Sequence, residues 1–561
     1  MQSKTLIIRL LPLLLSMTLL ACAKQPTPIA ATSPPPNILL IMVDDMGYSD
    51  LSSFGSEIPT PNLDLLAEDG VRLTNFITSS VCSPTRASVL TGVPPHLAGF
   101  GNLAEELAPN QKGQPGYEGY LNDRVVTVAT LLKDAGYQTY MTGKWHLGER
   151  QQSTPQARGF ERSFAMMKNA SHFADMKPAY SPDPNAKADY REDGERLQSL
   201  PESFEYSSQF FVDRLIDYLK QGDPSKPFFG YLAFSAPHWP IQAPDDAIAA
   251  FQDKYQTGYD AVAQSRFERQ KALGLIPATS TLAQRPPKSR PWEELSKTEQ
   301  ERESRAMEVY AAMIAEIDKH SGRLFEYLRN SGQFENTVII FMSDNGAEGH
   351  DLDETWPQET YPKIRQVINE RFDFSTENMG RPGSYTFYGP SWAQASSPAF
   401  YLHKGFASEG GVRTAAFVYS SKKYNSARLE NRLITARDIA PTILDLAGVS
   451  SPGRHYRNRT VEPMSGQSFL PLLTDTELQQ ERVHVDEAMG KISVRKGPWK
   501  LTRMPKPYGN DSWQLFNLND DLREANDLAS QFPDRVAELV SYWEIYAQDN
   551  GVILPDWLSG Y

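Results

Sequence analysis

Apolar residues along the chain recur with two periods, and the order in which those periods alternate predicts the architecture. Ile38 to Val43 is an unbroken apolar run, the pattern of a strand buried on both faces. Asp123 is positioned to cap a helix carrying Val126, Ala129 and Leu132, which Gly136 ends before a strand from Tyr137 to Thr142. Ser208 to Lys220 has helical spacing and Phe228 to Phe234 follows as another apolar strand. Thr298 to Asn330 carries Met307, Tyr310, Ala311, Ile314, Ile317 and Leu324 on one face of a long amphipathic helix, and Thr337 to Met342 is the next strand. This strand–helix alternation predicts an α/β domain over residues 37–460, with a largely parallel sheet covered by helices on both faces. From about Val461 the pattern shortens to strands at Val483–Glu487, Lys491–Arg495, Trp499–Met504 and Trp513–Leu518, closed by a helix from Pro533 to Ala547. Residues 461–561 are therefore expected to form a smaller α+β domain with a short antiparallel sheet.

Two stretches resist periodic reading. Ala243 to Arg305 is polar with a proline-rich centre and is expected to be a surface excursion. Asp351 to Tyr401 is rich in aromatics, among them Trp356, Phe372, Tyr385 and Trp392. It reads equally as a substrate-facing lid or as a packed insertion.

The start of the chain adds an address. Lys4 and Arg9 precede an apolar stretch from Leu10 to Leu20, too short to span a bilayer and shaped like a signal peptide over residues 1–21. It ends Leu19-Leu20-Ala21-Cys22, which resembles a bacterial lipobox, so lipidation at Cys22 is expected. The other reading is an ordinary secretory peptide cut nearby. Residues 22–36, rich in Pro, Ala, Ser and Thr, read as a tether. Both readings make the protein exported, to the periplasm or, as a lipoprotein, to the outer membrane. The chain has 2 cysteines; with Cys22 at the anchor, Cys82 has no partner and a disulfide framework is excluded. A net charge of −13 argues against nucleic acid as a partner and requires any anion site to be a local cluster of cations.

Candidate chemistry gathers where strands end. Asp44-Asp45 follows the first strand and Asp344-Asn345-Gly346 follows the Thr337 strand. Ligands of open α/β sheets collect at the carboxyl ends of strands, so these distant pairs are expected to meet. Three carboxylates and an amide are hard oxygen donors suited to Ca²⁺ or Mg²⁺, although any single Asp-Asn-Gly is more often a turn. In Gly143-Lys144-Trp145-His146-Leu147-Gly148, an extended backbone would point Lys144 and His146 to one face, as joint contact with an anion requires. His238 follows the Phe228 strand, at the same rim, and Lys404 precedes Glu409-Gly410-Gly411-Val412-Arg413.

The most informative run is Cys82-Ser-Pro-Thr-Arg-Ala-Ser-Val-Leu-Thr-Gly92. By default a lone cysteine is a small buried hydrophobe, but Cys-x-Pro-x-Arg resembles the signature of the type I, formylglycine-dependent sulfatases. Thr85 stands where the family more often has Ser or Ala, and bacterial arylsulfatases also carry Thr there. The block from Gly143 to Gly148 resembles the second sulfatase signature. The likeness extends over nearly all the chain beyond the tether and is strongest to the Pseudomonas-type bacterial arylsulfatase, down to Gly116-Tyr117-Glu118-Gly119, Tyr388-Gly389-Pro390 and Trp513-Gln514-Leu515.

The resemblance implies an alkaline-phosphatase-like fold and hydrolysis of sulfate esters, of aryl alcohols or sugars. It implies that a maturation enzyme oxidises Cys82 to formylglycine, and that Asp44, Asp45, Asp344 and Asn345 hold one Ca²⁺ together with residue 82. Arg86, Lys144, His146, His238 and Lys404 would surround the sulfate. In that scheme Asp344 takes a proton from the formylglycine diol, His238 protonates the leaving oxygen and His146 takes the second diol proton. Two alternatives stay open at this level: a phosphomonoester or phosphonate-monoester hydrolase of the same superfamily, and a sulfated-glycan binding lipoprotein without turnover.

Overall fold

The Ile38 run becomes the centre of a sheet in the computed structural model, which describes residues 35–424, 427–473 and 481–557. The expected signal peptide, Cys22 and nearly all of the tether lie outside the described residues. Strand Asn37–Asp44 pairs in parallel with Phe228–Pro237 on one side and with Thr337–Ser343 on the other. Gln138–Lys144 adds in parallel beyond the Phe228 strand. Among the described residues ten strands form this sheet. Its edges depart from the expected parallel pattern: Ala416–Tyr419 runs antiparallel to the Thr337 strand, and Tyr190–Glu192 antiparallel to Arg162–Met166. The sheet is mixed, with five neighbouring strands parallel, from Thr337–Ser343 through to Arg162–Met166, which pairs in parallel with Gln138–Lys144.

Alternation along one strand builds two cores. Leu39, Ile41 and Val43 join Phe211, Leu215, Tyr310, Ile314 and Ile317 on one face. Ile38, Leu40 and Met42 join Val89, Leu90, Leu132 and Ile443 on the other. Each such side chain, wholly buried, contributes roughly 1.5–3 kcal/mol. The helix under the first core, Lys297–Asn330, opens with a capping box between Ser296 and Glu299.

Three expectations need correction or choice. The helix after Asp123 starts later, at Val128–Asp134, and its cap is Thr127, whose hydroxyl accepts the Thr130 N–H at 3.2 Å. The Asp123 side chain is instead 86% exposed. Ala243 to Arg305 is no surface excursion. Its helices Asp245–Ala249 and Gly258–Ala272 deliver Ile248, Tyr259 and Phe267 to the first core, and the turns between them deliver Phe251 and Tyr255. Polar composition hid this because the segment's charged residues include a fully buried one. Arg266 donates to Asp50 at 2.6 Å and to both oxygens of Glu57 at 2.8 Å, clamping the loop that follows Asp45. In the aromatic stretch 351–401, Trp356, Phe372 and Tyr385 are buried in one cluster with Trp239, the neighbour of His238. Those rings are packed rather than lid-like.

Toward the carboxyl terminus, Val483–Ala488, Lys491–Lys496, Trp499–Arg503 and Trp513–Asn517 form an antiparallel sheet of four strands. Val485, Ile492, Val494, Leu501 and Leu515 pack there against Leu539, Trp543 and Tyr546 of the helix Pro533–Asn550. Lys500 of this sheet reaches Glu409 at 2.8 Å and Glu524 at 3.1 Å, all buried.

Removing Arg266 leaves buried Asp50 without a cation and Glu57 with Arg269 alone. Arg266→Ala is expected to lower unfolding stability by about 3–5 kcal/mol. Arg269→Ala, which removes a half-exposed partner of the same Glu57, should lower it by less than about 1 kcal/mol. Denaturant titration of both variants checks this; equal small losses would show that the clamp carries no weight.

Candidate active site

The parallel register decides what meets at the sheet's edge. Val43 lies opposite Ser343 and Asp44 opposite Pro237, so Asp44, Asp45, Asp344, Asn345 and His238 emerge side by side, with Lys144 at the end of the next strand. Asp45 takes the left-handed conformation (φ 69°), one that Asp tolerates better than bulkier residues, and its N–H donates to Asp344 Oδ1 at 3.2 Å. Gly346 allows the second turn: a Cβ there would lie 1.9 Å from the Gly410 carbonyl.

The Cys82 run forms the helix Cys82–Thr91, buried along its entire length. Cys82 is its first residue, at the positive end of the helix dipole. Thr85 ties the turn before it, accepting the Ser79 N–H at 3.0 Å and donating to the Ser79 carbonyl at 3.3 Å. One turn on, Arg86 donates to Asp344 Oδ2 through Nε at 2.9 Å and to Asp44 Oδ1 at 3.3 Å, while its third nitrogen caps the Lys144 carbonyl at 2.9 Å. Lys144 Nζ contacts both oxygens of Asp44, at 2.9 and 2.6 Å. Lys404 Nζ lies 2.9 Å from Asp45 Oδ2 and 2.9 Å from Glu348 Oε2. Every one of these charges is buried.

The two histidines are held differently. His238 Nδ1 donates to the Trp239 carbonyl at 2.6 Å, which leaves Nε2 facing Asn169 Nδ2 at 3.0 Å and Asp45 Oδ2 at 3.4 Å. His172 braces its backbone, its Nε2 lying 3.0 Å from the His238 carbonyl. His146 does not reach the site by strand alternation. Pairing ends at Lys144, and His146 turns into the left-handed region (φ 54°) with its N–H on the Met167 carbonyl.

Burial dominates the electrostatics. It raises the Asp45 and Asp344 carboxyls despite Lys404 and Arg86 beside them. Burial, then the Asp344 charge, pushes the Cys82 thiol well above its ordinary value, the reverse of what an activated cysteine nucleophile needs. Burial and then the charges of Lys404 and Lys144 drive His238 well down. Glu348 is held low by Lys404 and His350 against its burial.

These residues fit a hard divalent cation. Oxygens of Asp44, Asp45 and Asp344 and the Cys82 sulfur lie within 4.8 Å of one another, and ligands 2.3–2.6 Å from one Ca²⁺ lie at most about 5 Å apart. Asn345 Oδ1 is buried without a hydrogen-bond partner, as an amide oxygen awaiting a cation would be. Cys82 is the one soft donor in the set.

Contacts link Asp44, Asp45, Cys82, Arg86, Lys144, His238, Asp344, Asn345 and Lys404, while His146 lies beside them on Glu105 and within reach of the Lys144 and Arg86 charges. Sequence reading missed Glu348, Asn169 and Glu105, the last 3.1 Å from His146 Nε2. Each lies in a loop or short turn with no periodic or motif signal.

Comparison with known proteins agrees with this geometry. The model of the family described as Sulfatase matches residues 36–449. An uncharacterised sulfatase of Schizosaccharomyces pombe is 41% identical over 543 residues, which cover 94% of this chain and 96% of the relative. An arylsulfatase of Klebsiella aerogenes is 39% identical over 442 residues, 78% of this chain and 92% of that one. Among solved structures, Ps i-CgsB in complex with k-i-k-neocarrahexaose has a TM-score of 0.65 at 22% identity, covering 93% of this chain and 95% of its own, and shares the alkaline-phosphatase-like fold. The chain belongs to the sulfatase family and is a sulfuric ester hydrolase.

Proposed function

We propose that this sulfatase works through a formylglycine made from Cys82 by a maturation enzyme, beside one Ca²⁺ held by Asp44, Asp45, Asp344 and Asn345. The observation that carries the reading is the position of Cys82. A buried thiol of raised pKa, the one sulfur among hard oxygen donors, suits neither thiolate chemistry nor a hard cation. Conversion to an oxygen-bearing residue removes both conflicts. Formylglycine supplies a hydrated aldehyde, one hydroxyl to attack sulfur and a second whose ionisation releases sulfate; the cation supplies charge that acidifies a hydroxyl and polarises a sulfate oxygen.

The chain's own groups do the rest. Lys144 and Lys404, each already paired with a carboxylate, present fixed positive charge to the sulfate oxygens without needing to reorganise. Arg86 holds Asp44 and Asp344 in place, and Asp344 is the acceptor for the attacking hydroxyl's proton. His238, its Nδ1–H fixed on the Trp239 carbonyl, turns Nε2 toward Asn169 and Asp45, the nitrogen that would carry a proton to the leaving oxygen. His146 takes the proton whose loss frees sulfate. The substrates in this reading are sulfate esters of phenols or sugar alcohols, and the site of action is outside the cytoplasm, with a lipid anchor at Cys22.

Two outcomes test it. Protein produced with a formylglycine-generating system should show the mass loss of thiol-to-aldehyde conversion on the peptide holding residue 82, and Cys82→Ala should lose turnover; full activity in Cys82→Ala would sink the mechanism. For the acid, His238→Ala should lower kcat about 10²-fold or more on alkyl or sugar sulfates, and much less on nitrophenyl sulfate, whose leaving oxygen departs without a proton. Lys404→Ala should slow both classes alike, because it removes charge from the sulfate side. Equal losses for His238→Ala across both classes would assign it to positioning alone.

A further inference from the structure

We infer that Glu105 is the positioning residue for His146, fixing the ring in the tautomer that protonates Nε2 and leaves Nδ1 as the basic nitrogen; this rests on the proton-accepting role assigned to His146 above. Glu105 lies in the single turn Ala104–Glu106. Its Oε1 sits 3.1 Å from His146 Nε2 and accepts the Tyr180 hydroxyl at 2.9 Å. A carboxylate only accepts, so the nitrogen facing it carries the hydrogen. His146 Nδ1 is buried and has no hydrogen-bond partner. A buried lone pair without a partner is costly unless a donor meets it, and in the working enzyme that donor is the second hydroxyl of the aldehyde hydrate at residue 82.

The proton balance is simple. The hydroxyl's proton moves to Nδ1 while its electron pair forms the carbonyl of residue 82 and the bond to the sulfate oxygen breaks. The imidazolium formed shares its Nε2–H with Glu105, whose negative charge stabilises it. The charged groups acting on His146 are Glu105, Lys144 and Arg86, with Lys168 acting on Glu105 from beside the site. Burial takes His146 down to about 4, with Lys144 and Arg86 pushing the same way; Glu105 opposes them. Glu105 itself is held below the usual carboxylate range by His146 against its own burial. Removing the carboxylate therefore lowers the basicity of His146 further and moves the acidic limb of its pH profile to lower pH. The backbone adds to the constraint, because the left-handed turn at His146 aims the ring before any substrate arrives.

The first measurement needs no turnover. In ¹⁵N-histidine spectra of the native enzyme, the His146 signals, assigned by their loss in His146→Ala, should report a hydrogen on Nε2 and a bare Nδ1. Glu105→Gln, which presents an amide N–H to the same nitrogen, should shift the hydrogen to Nδ1 and lower kcat about 10²-fold, equally for aryl and alkyl sulfates. Its pH profile should show the acidic limb displaced downward. The pair Glu105→Gln with His146→Ala should be no slower than His146→Ala alone, as expected for residues acting as one unit. A native His146 protonated on Nδ1, or an unchanged kcat in folded Glu105→Gln while His146→Ala is inactive, would overturn the inference. Full activity in His146→Ala would instead remove the reading on which it rests. Should Glu105→Gln not fold, the native tautomer decides alone.

Discussion

Buried carboxylates paired to buried cations at the ends of parallel strands are the constraint on which the rest of the structure depends. Asp44, Asp45 and Asp344 face Arg86, Lys144 and Lys404 with essentially no solvent between them. Each ion taken out of water costs several kcal/mol, and removing one partner of such a pair costs about 3–5 kcal/mol because its mate is left unpaired. The fold sustains this through two apolar cores packed on either side of the strand that carries Asp44. The chemistry is possible because the charges are already in place and need not be gathered when substrate binds.

The same pairing explains the rim. Asp45 would be over-surrounded by negative charge without Lys404, and Lys404 in turn is shared with Glu348, which also accepts the Trp239 indole N–H at 3.2 Å. Trp239 supplies the carbonyl that fixes His238. A chain of contacts thus runs from the carboxylate cage to the group proposed as the acid. The Arg266 clamp on Asp50 and Glu57 holds the loop that leaves Asp45, and Tyr310 of the long helix donates to Asp50 at 2.7 Å. A segment that reads as a polar excursion is in this way tied to the cage.

How much was legible follows from how locally each feature is encoded. The Ile38 and Thr337 strands announce themselves by unbroken apolar runs, and parallel pairing then obliges the Asp and Asn residues after them to meet. Cys82 and Arg86 are one helical turn apart in a recognisable motif. By contrast, Glu105, Asn169 and Glu348 contact the site through tertiary packing of irregular segments, and a lone acidic residue in a loop looks like any solvated charge. The segment around Arg266 reads as a surface excursion for the same reason: the partners of its buried cation lie more than two hundred positions away in sequence. Thr127 replaced Asp123 as a helix cap because Val125 and Val126 are buried before the helix begins, which shifts its start past the more conspicuous residue.

The central claim is that Asp44, Asp45, Asp344 and Asn345 form an oxygen cage for one hard divalent cation. Elemental analysis of the purified active enzyme, joined to calorimetric titration of the metal-stripped protein, tests it most directly. The account predicts one Ca²⁺ per chain, with binding weakened in folded Asn345→Ala, whose loss removes the buried amide oxygen that has no other partner. Stoichiometric Zn²⁺, or an active enzyme containing no metal, would contradict it.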